Sequence, residues 1–279
     1  MKLGVSLPVR EMKDDLGAIR AYAELAEELG LAHLRVPETL IRKTGGHLHE
    51  PMMILAWVAG FTKKIQLCPS VIVLPARQTV LFAKQIAELD VLSNGRARLG
   101  VGIGSNKEQY EALGQDFHSR GARCDEQLQL LSSLLSQERV NFKGRWDNID
   151  DSGIAPLPVQ THIPIWYGGA SSPGRHVIKR IGQYCDGWFV LCGPEQYKDL
   201  RTKIDDEAQN FNRNCNSIET EVGVAVVGPR QSEWQNRISI WKNMGIDYLC
   251  LRTLGGGLTP QQHIDHLSKV VPEAKQLID

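Results

Sequence analysis

Short apolar runs alternate with amphipathic stretches along almost the whole chain. Leu3 to Leu7 is a compact apolar run stopped by Pro8. Leu16, Ile19, Ala23 and Ala26 then recur at helical spacing, and Gly30 stands where a helix would end. The same rhythm repeats. His33 to Val36 and Ile65 to Val73 predict strands; Pro51 opens a helix through Phe61, and Val80, Ala83, Ala87 and Val91 mark the helix that Asn94-Gly95 closes. Ala97 to Val101 predicts the fourth strand. It runs into glycines at 100, 102 and 104, and Leu128, Leu131 and Leu135 lie on one face of the helix that opens near Arg120. After residue 163 come strands at Ile165 to Tyr167, Gly187 to Leu191, Glu219 to Val227 and Ile246 to Leu251, each followed by a helical pattern, the last from Pro260 to Leu277.

Repeated βα units of this length imply parallel strands with right-handed crossovers. Eight of them predict a closed α/β (β/α)8 TIM barrel, with an open doubly wound sheet as the rival, in a single domain spanning residues 1–279. The rhythm breaks only at about 138–163. There a proline-rich, polar stretch reads as an insertion between the fourth helix and the fifth strand, with a small hairpin placed to cover the barrel mouth.

Composition narrows the function classes. Basic and acidic residues balance at 32 each and no basic tract is visible, which argues against nucleic acid as a partner. No apolar run approaches the length of a membrane span and the first residues carry no apolar signal core, so neither membrane insertion nor secretion is expected. Cysteines at 68, 124, 185, 192, 215 and 250 show no C-x-x-C pairing and read as reduced thiols of a cytoplasmic protein.

In a barrel the site lies at the C-terminal ends of the strands. The glycine run Gly100, Gly102, Gly104 strips side chains from one face of the fourth strand, so either a flat ligand or a closely packed neighbour lies against it. It is not a dinucleotide fingerprint, because Lys107 stands where the third glycine would be. Gly168, Gly169, Ser171, Ser172 and Pro173 end the fifth strand and open a helix. That arrangement suits an anion, with Arg175 adding charge, or simply an N-cap serine ahead of a proline. Glu38-Thr39 ends the second strand. Burial could fit Glu38 for proton transfer, whereas Thr39 cannot act as a base near neutral pH. His47 and His49, on the following loop, are either solvated or able to reach the mouth, and no third ligand at metal-site spacing accompanies them. No metal is expected. Lys107 is the nearest lysine to a strand end for a Schiff-base aldolase or phosphosugar isomerase, an alternative class on this fold.

The segment Glu108, Ala112, Leu113, Gly114, Phe117, Arg120, Gly121, Arg123, Asp125, Glu126 resembles the E-x-x-A-L-G-x-x-F-x-x-R-G-x-R-x-D-E run of the luciferase-like family of flavin-dependent oxidoreductases. Gly-Gly-x-Ser-Ser-Pro at 168–173 and Asp186-Gly187-Trp188 are similar to further motifs of that family. The resemblance implies a TIM barrel that binds FMN (as FMNH2) or coenzyme F420 and either transfers hydride or activates oxygen on a small organic substrate. It places the cofactor phosphate at Gly169 to Ser172 and the ring over Ser70-Val71 and Gly102, Gly104 and Ser105. It also implies a non-prolyl cis peptide between Ser70 and Val71. A separate flavin reductase and a homodimeric assembly are the partners consistent with it. The chain departs from the deazaflavin branch at Glu38-Thr39, where many relatives carry Asp-His. A non-catalytic flavin-binding relative is the remaining alternative.

Overall fold

The computed structural model describes residues 1–41, 48–169 and 171–278. His47 falls outside the described residues. Strands β1 (Lys2–Ser6), β2 (His33–Val36), β3 (Gln66–Pro69), β4 (Ile72–Val73), β5 (Leu99–Gly102), β8 (Ile165–Gly168), β9 (Gly187–Val190), β10 (Glu219–Ala225) and β11 (Tyr248–Arg252) form one sheet, whose pairs are all parallel. Its order is β3-β2-β1-β11-β10-β9-β8-β5-β4. β3 and β4 are halves of one stave, interrupted at Ser70-Val71, so the nine strands make eight staves. The sheet closes on itself where the Leu67 N–H donates to Arg96 O (2.8 Å) and the Arg98 N–H donates to Leu67 O (2.9 Å). The chain is a (β/α)8 barrel.

Each stave feeds a helix: α2 (Leu16–Glu28), α3 (Pro51–Ala59), α4 (Thr79–Leu92), α6 (Arg120–Leu134), α7 (Arg175–Tyr184), α8 (Pro194–Asn210), α9 (Trp234–Asn243) and α10 (Pro260–Ile278). Two short helices, α1 (Val9–Met12) and α5 (Lys107–Ala112), sit within loops. Outward residues of the staves, such as Val5, Leu34, Val36, Leu99 and Leu249, join the inner faces of the helices in one continuous apolar shell. Burial of that shell supplies the main driving force for closure. Inward residues form a second, smaller cluster of Cys68, Trp166, Phe189 and Tyr248 around buried charges.

The segment between α6 and β8 does hold a hairpin, β6 (Val140–Lys143) antiparallel to β7 (Asn148–Ser152). Its position differs from the expected one. The Glu126 carboxylate on α6 accepts from the N–H groups of Arg145 (2.7 Å), Trp146 (2.9 Å) and Asp147 (3.0 Å). Asp147 in turn accepts from the Thr79 hydroxyl at the start of α4 (2.6 Å). Further along, Gln160 bonds the Asp90 carboxylate and Ala97 O. These bonds fasten the segment to the outside of α4 and α6, and none of its residues lines the mouth cavity. It braces the helix shell.

The six cysteines form no disulfide, and all but Cys215 are buried. No helix among the described residues is long and apolar enough to cross a membrane.

Candidate active site

A cavity of about 530 Å³ opens at the C-terminal ends of the staves, a volume in the ordinary range for a cofactor or small-ligand pocket. Val71, Ile103, Tyr167, Val177, Phe189 and Leu191 give it apolar walls. Gly104, Ser105, Gly168 and Gly169 present backbone, and Ser70, Arg35 and Arg120 supply polar groups. Three donors here are buried and have no partner among the described residues: Ser70 Oγ, Arg35 Nε and Arg120 Nε. A second cavity of about 490 Å³ adjoins it through shared Ile103, Arg120 and Val177, and lies between the first turns of α6 and α7, with His118, Gly121 and His176 on its wall.

The peptide between Ser70 and Val71 is cis. It interrupts the third stave directly below the cavity, and the Ser70 N–H donates to Val36 O at 2.7 Å. Val71 is wedged between Gly102 and Gly168. A Cβ on Gly102 would lie 2.9 Å from Val71 Cγ2 and 2.6 Å from Gly168 O. The inward glycine at 100 is filled by Pro69 O and the Phe189 ring. Of the two readings of the glycine run, close packing therefore accounts for positions 100 and 102, and only Gly104, with φ +60, reaches the cavity. Gly102 shapes the wall from behind.

Of the cofactor-binding positions expected from sequence, the structure gathers Ser70, Val71, Gly104, Ser105, Gly168 and Gly169 around one space. Ser171 and Ser172 are exposed in the turn that follows. The helix does not open at Pro173: α7 begins at Arg175 with Gly174 as its N-cap, and no side chain caps it. Arg175 turns away from the mouth toward α8, beside Lys203, Asp206 and Glu207.

The three candidate catalytic residues lie elsewhere. Glu38 is almost wholly buried, accepts from the Val73 N–H (2.7 Å) and is ion-paired with Arg77, which also reaches Glu50 at 3.1 Å. Burial pushes its carboxyl up and the Arg77 charge opposes that, a combination that holds β4 to the end of β2. Thr39 donates to Glu38 O (2.8 Å), and His49 Nε2 bonds Lys13 O (2.7 Å). None of the three lines the cavity. Lys107 pairs with Glu111 at 3.0 Å on an exposed helix face, which gives an imine-forming lysine no pocket.

Sequence reasoning did not anticipate the polar group inside the barrel. Arg35 Nη1 donates to Glu221 Oε1 (2.7 Å) and Arg98 Nη2 to Glu221 Oε2 (2.6 Å), while His33 Nε2 lies 3.2 Å from Glu221 Oε1. Arg98 stacks over Trp166 at 4.4 Å and Arg35 over Phe189 at 4.5 Å. The carboxyl of Glu221 is held well below the usual carboxylate range, since His33, Arg98 and Arg35 together outweigh its burial. Desolvation pushes His33 down to about 4, so it is neutral. Glu221 is 186 positions from Arg35. The available signal was a charge in or beside three strands: Arg35 in β2, Glu221 in β10 and Arg98 just ahead of β5.

Arg180 ties the walls together. It donates to Asp125 (2.6 Å), to Gly121 O (3.0 Å) and to the Tyr167 hydroxyl (3.0 Å), and burial raises the Tyr167 phenol above its ordinary value. No carboxylate, imidazole or thiol lines the main cavity among the described residues.

Comparison with known proteins agrees with this geometry. Over 199 residues the chain is 33% identical to an F420-dependent glucose-6-phosphate dehydrogenase of Kineococcus radiotolerans, a match spanning 69% of this chain and 57% of that protein. A protein of the same description from Amycolatopsis mediterranei is 29% identical over 76% of this chain and 65% of its own length. The chain thus spans less than two thirds of the length of both. Two solved structures share the fold. Monooxygenase RslO1 from Streptomyces bottropensis has a TM-score of 0.81 at 19% identity, covering 98% of both chains. An F420-dependent secondary alcohol dehydrogenase in complex with an F420-acetone adduct has a TM-score of 0.79 at 15% identity, covering 100% of this chain and 99% of that one. The model of the luciferase-like monooxygenase family matches residues 1–248, and the chain belongs to that family.

Proposed function

We propose that the protein is an oxidoreductase that binds reduced FMN (FMNH2) or coenzyme F420 in the mouth cavity and acts on a small organic substrate. One observation carries this reading: the cavity has apolar walls and unpartnered donors at Ser70, Arg35 and Arg120, but no side chain able to accept a proton near neutral pH among its described lining. Such a lining positions and shields a reactive group without performing the chemistry itself. The residues fit a flat ring with a polar edge. Val71 and Phe189 offer apolar faces, Ser70 and Arg35 offer hydrogen bonds, and the Gly168-Gly169 backbone with the open first turn of α7 suits the phosphate.

The reduced cofactor, when bound, supplies a hydride or the electrons that activate dioxygen. The protein's part is to orient the substrate against Ile103, Val177 and Leu191 and to keep bulk water out. Oxidation of an alcohol would need a base for the hydroxyl proton. Among the described residues the main cavity offers none, but the reverse reduction would need a proton donor at the same place, so the lining does not set the direction of hydride transfer; His118, Asp125 and His176 stand on the adjoining cavity. In the oxygenating form FMNH2 comes from a separate flavin reductase.

The test is turnover with pre-reduced FMN and pre-reduced F420, with and without oxygen, against unsaturated and oxygenatable acceptors. Substrate-dependent cofactor oxidation supports the proposal. No substrate-dependent change in the cofactor's redox state in either direction contradicts it.

A further inference from the structure

The charges that meet at Glu221 are not balanced. Two guanidiniums, Arg35 and Arg98, face one carboxylate, Glu221. The other titratable groups of the cluster are neutral: His33 is pushed down to about 4, and burial raises the Cys68 and Cys250 thiols. Lys2, Glu219 and Asp247 form a further charged group at the opposite end of the barrel, where Arg98 also acts on Glu219. Around Glu221 itself the guanidiniums exceed the carboxylate by one charge. A buried charge without a counterpart is costly, and something must offset it. Arg98 is enclosed, with a side chain 1% exposed, whereas Arg35 is 17% exposed and lines the mouth cavity beside Ser70 and Val71. Its Nε has no partner among the described residues. Glu221 and the Phe189 ring hold the guanidinium in place, so the charge cannot swing out to solvent.

We propose that Arg35 is the electrostatic residue of the cofactor site, presenting a fixed positive charge to the ring so that anionic reduced FMN is held more tightly than neutral oxidised FMN. This rests on the cofactor reading above. Two-electron reduction of an isoalloxazine ring leaves a delocalised negative charge on its pyrimidine edge at neutral pH, whereas the F420 ring, with its ionised hydroxyl, carries such a charge in both redox states. A fixed cation beside that edge favours the reduced state and raises the midpoint potential of the bound cofactor. Unlike an ammonium, the guanidinium cannot lose its proton in response.

The experiment measures dissociation constants for oxidised and reduced FMN, and the same pair for F420, with the midpoint potential of the bound form. The proteins are the wild type, Arg35→Gln and Arg35→Lys. The wild type should bind reduced FMN at least tenfold more tightly than oxidised FMN, with a smaller difference for F420. Arg35→Gln should lose tenfold or more of that preference, which for a two-electron couple is a fall of about 30 mV per tenfold, and Arg35→Lys should keep most of it. A merely structural role would weaken both redox forms alike and leave the potential unmoved, and that result overturns the proposal. If Arg35→Gln does not fold, the wild type decides the matter: a potential above that of the free cofactor supports the assignment, and one at or below it overturns it. Binding without redox preference sinks this inference alone, whereas no binding of either cofactor in either state sinks the cofactor reading with it.

Discussion

Val71 fills the space into which a side chain at position 168 would grow: a Cβ on Gly168 would lie 2.6 Å from Val71 Cγ1. Val71 follows the cis peptide and walls the cavity, so its position sets the shape of the floor. Gly168→Ala should displace it into the cavity and weaken cofactor binding by about tenfold, at a stability cost of about 1–3 kcal/mol. Gly102→Ala meets the Gly168 carbonyl as well, at 2.6 Å, and backbone cannot yield as a side chain can. It should lower the unfolding midpoint further than Gly168→Ala does. Urea titrations with parallel cofactor titrations separate the two effects. Equal binding by Gly168→Ala and wild type would show that Val71 does not shape the site.

Glu38 should behave as a structural acid. Its partner Arg77 keeps Glu50 when Glu38 is removed, so Glu38→Ala should cost about 2–3 kcal/mol, at the low end for breaking a buried pair. The variant's pH–rate profile should keep its shape, because no proton of the reaction passes through this carboxyl. Thr39→Val and His49→Ala should leave kcat within about twofold of the wild type, as expected of residues that touch neither cofactor nor substrate. Loss of an ionisation limb in any of the three would return that residue to the mechanism.

His33 makes the barrel sensitive to acid. Its pKa falls from an ordinary 6.5 to about 4 on folding, so the folded state holds it neutral where the unfolded chain would protonate it. The depressed value means that stability is complete above the unfolded value and is lost as pH drops from about 6.5 toward 4. Glu221, held below its ordinary 4.5, adds a further loss at lower pH. The urea midpoint should therefore decline steadily through this window, and His33→Gln should flatten the decline. His263, also depressed by burial, leaves a residual slope. An unchanged slope in His33→Gln would mean that His33 is not the titrating group.

The hairpin segment should act on stability and not on binding. Glu126→Ala removes the acceptor for three N–H groups at 145–147, although solvent can rehydrate them in part. A loss of about 1–3 kcal/mol is expected, with cofactor affinity unchanged. Weaker binding without loss of stability would restore the segment as a cover for the mouth.

Much of the architecture was legible in the chain. The strand-helix rhythm gave the eight βα units because a parallel barrel buries each stave on both faces and each helix on one. The strand-end rule placed Ser70, Val71, Gly104, Gly168 and Gly169 at the mouth before any geometry was known. Local boundaries were less secure: Pro173 suggested a helix start that the chain delays to Arg175, because Gly174 is extended and serves as the N-cap. The polar cluster could not be read, because Arg35, Arg98 and Glu221 meet only through closure, and sequence parity tells which side of a strand a residue takes but not what faces it. Glu38 misled for the same reason. Its partner, Arg77, belongs to a different stave, and that pairing turns a candidate base into a tie between loops.

The most direct measurement is a fluorescence titration of the purified protein with FMN and with F420, each oxidised and each reduced. The account predicts saturable one-to-one binding of at least one of them, tighter for reduced than for oxidised FMN and weakened about tenfold by Gly168→Ala. Failure of both cofactors to bind in either redox state would contradict it.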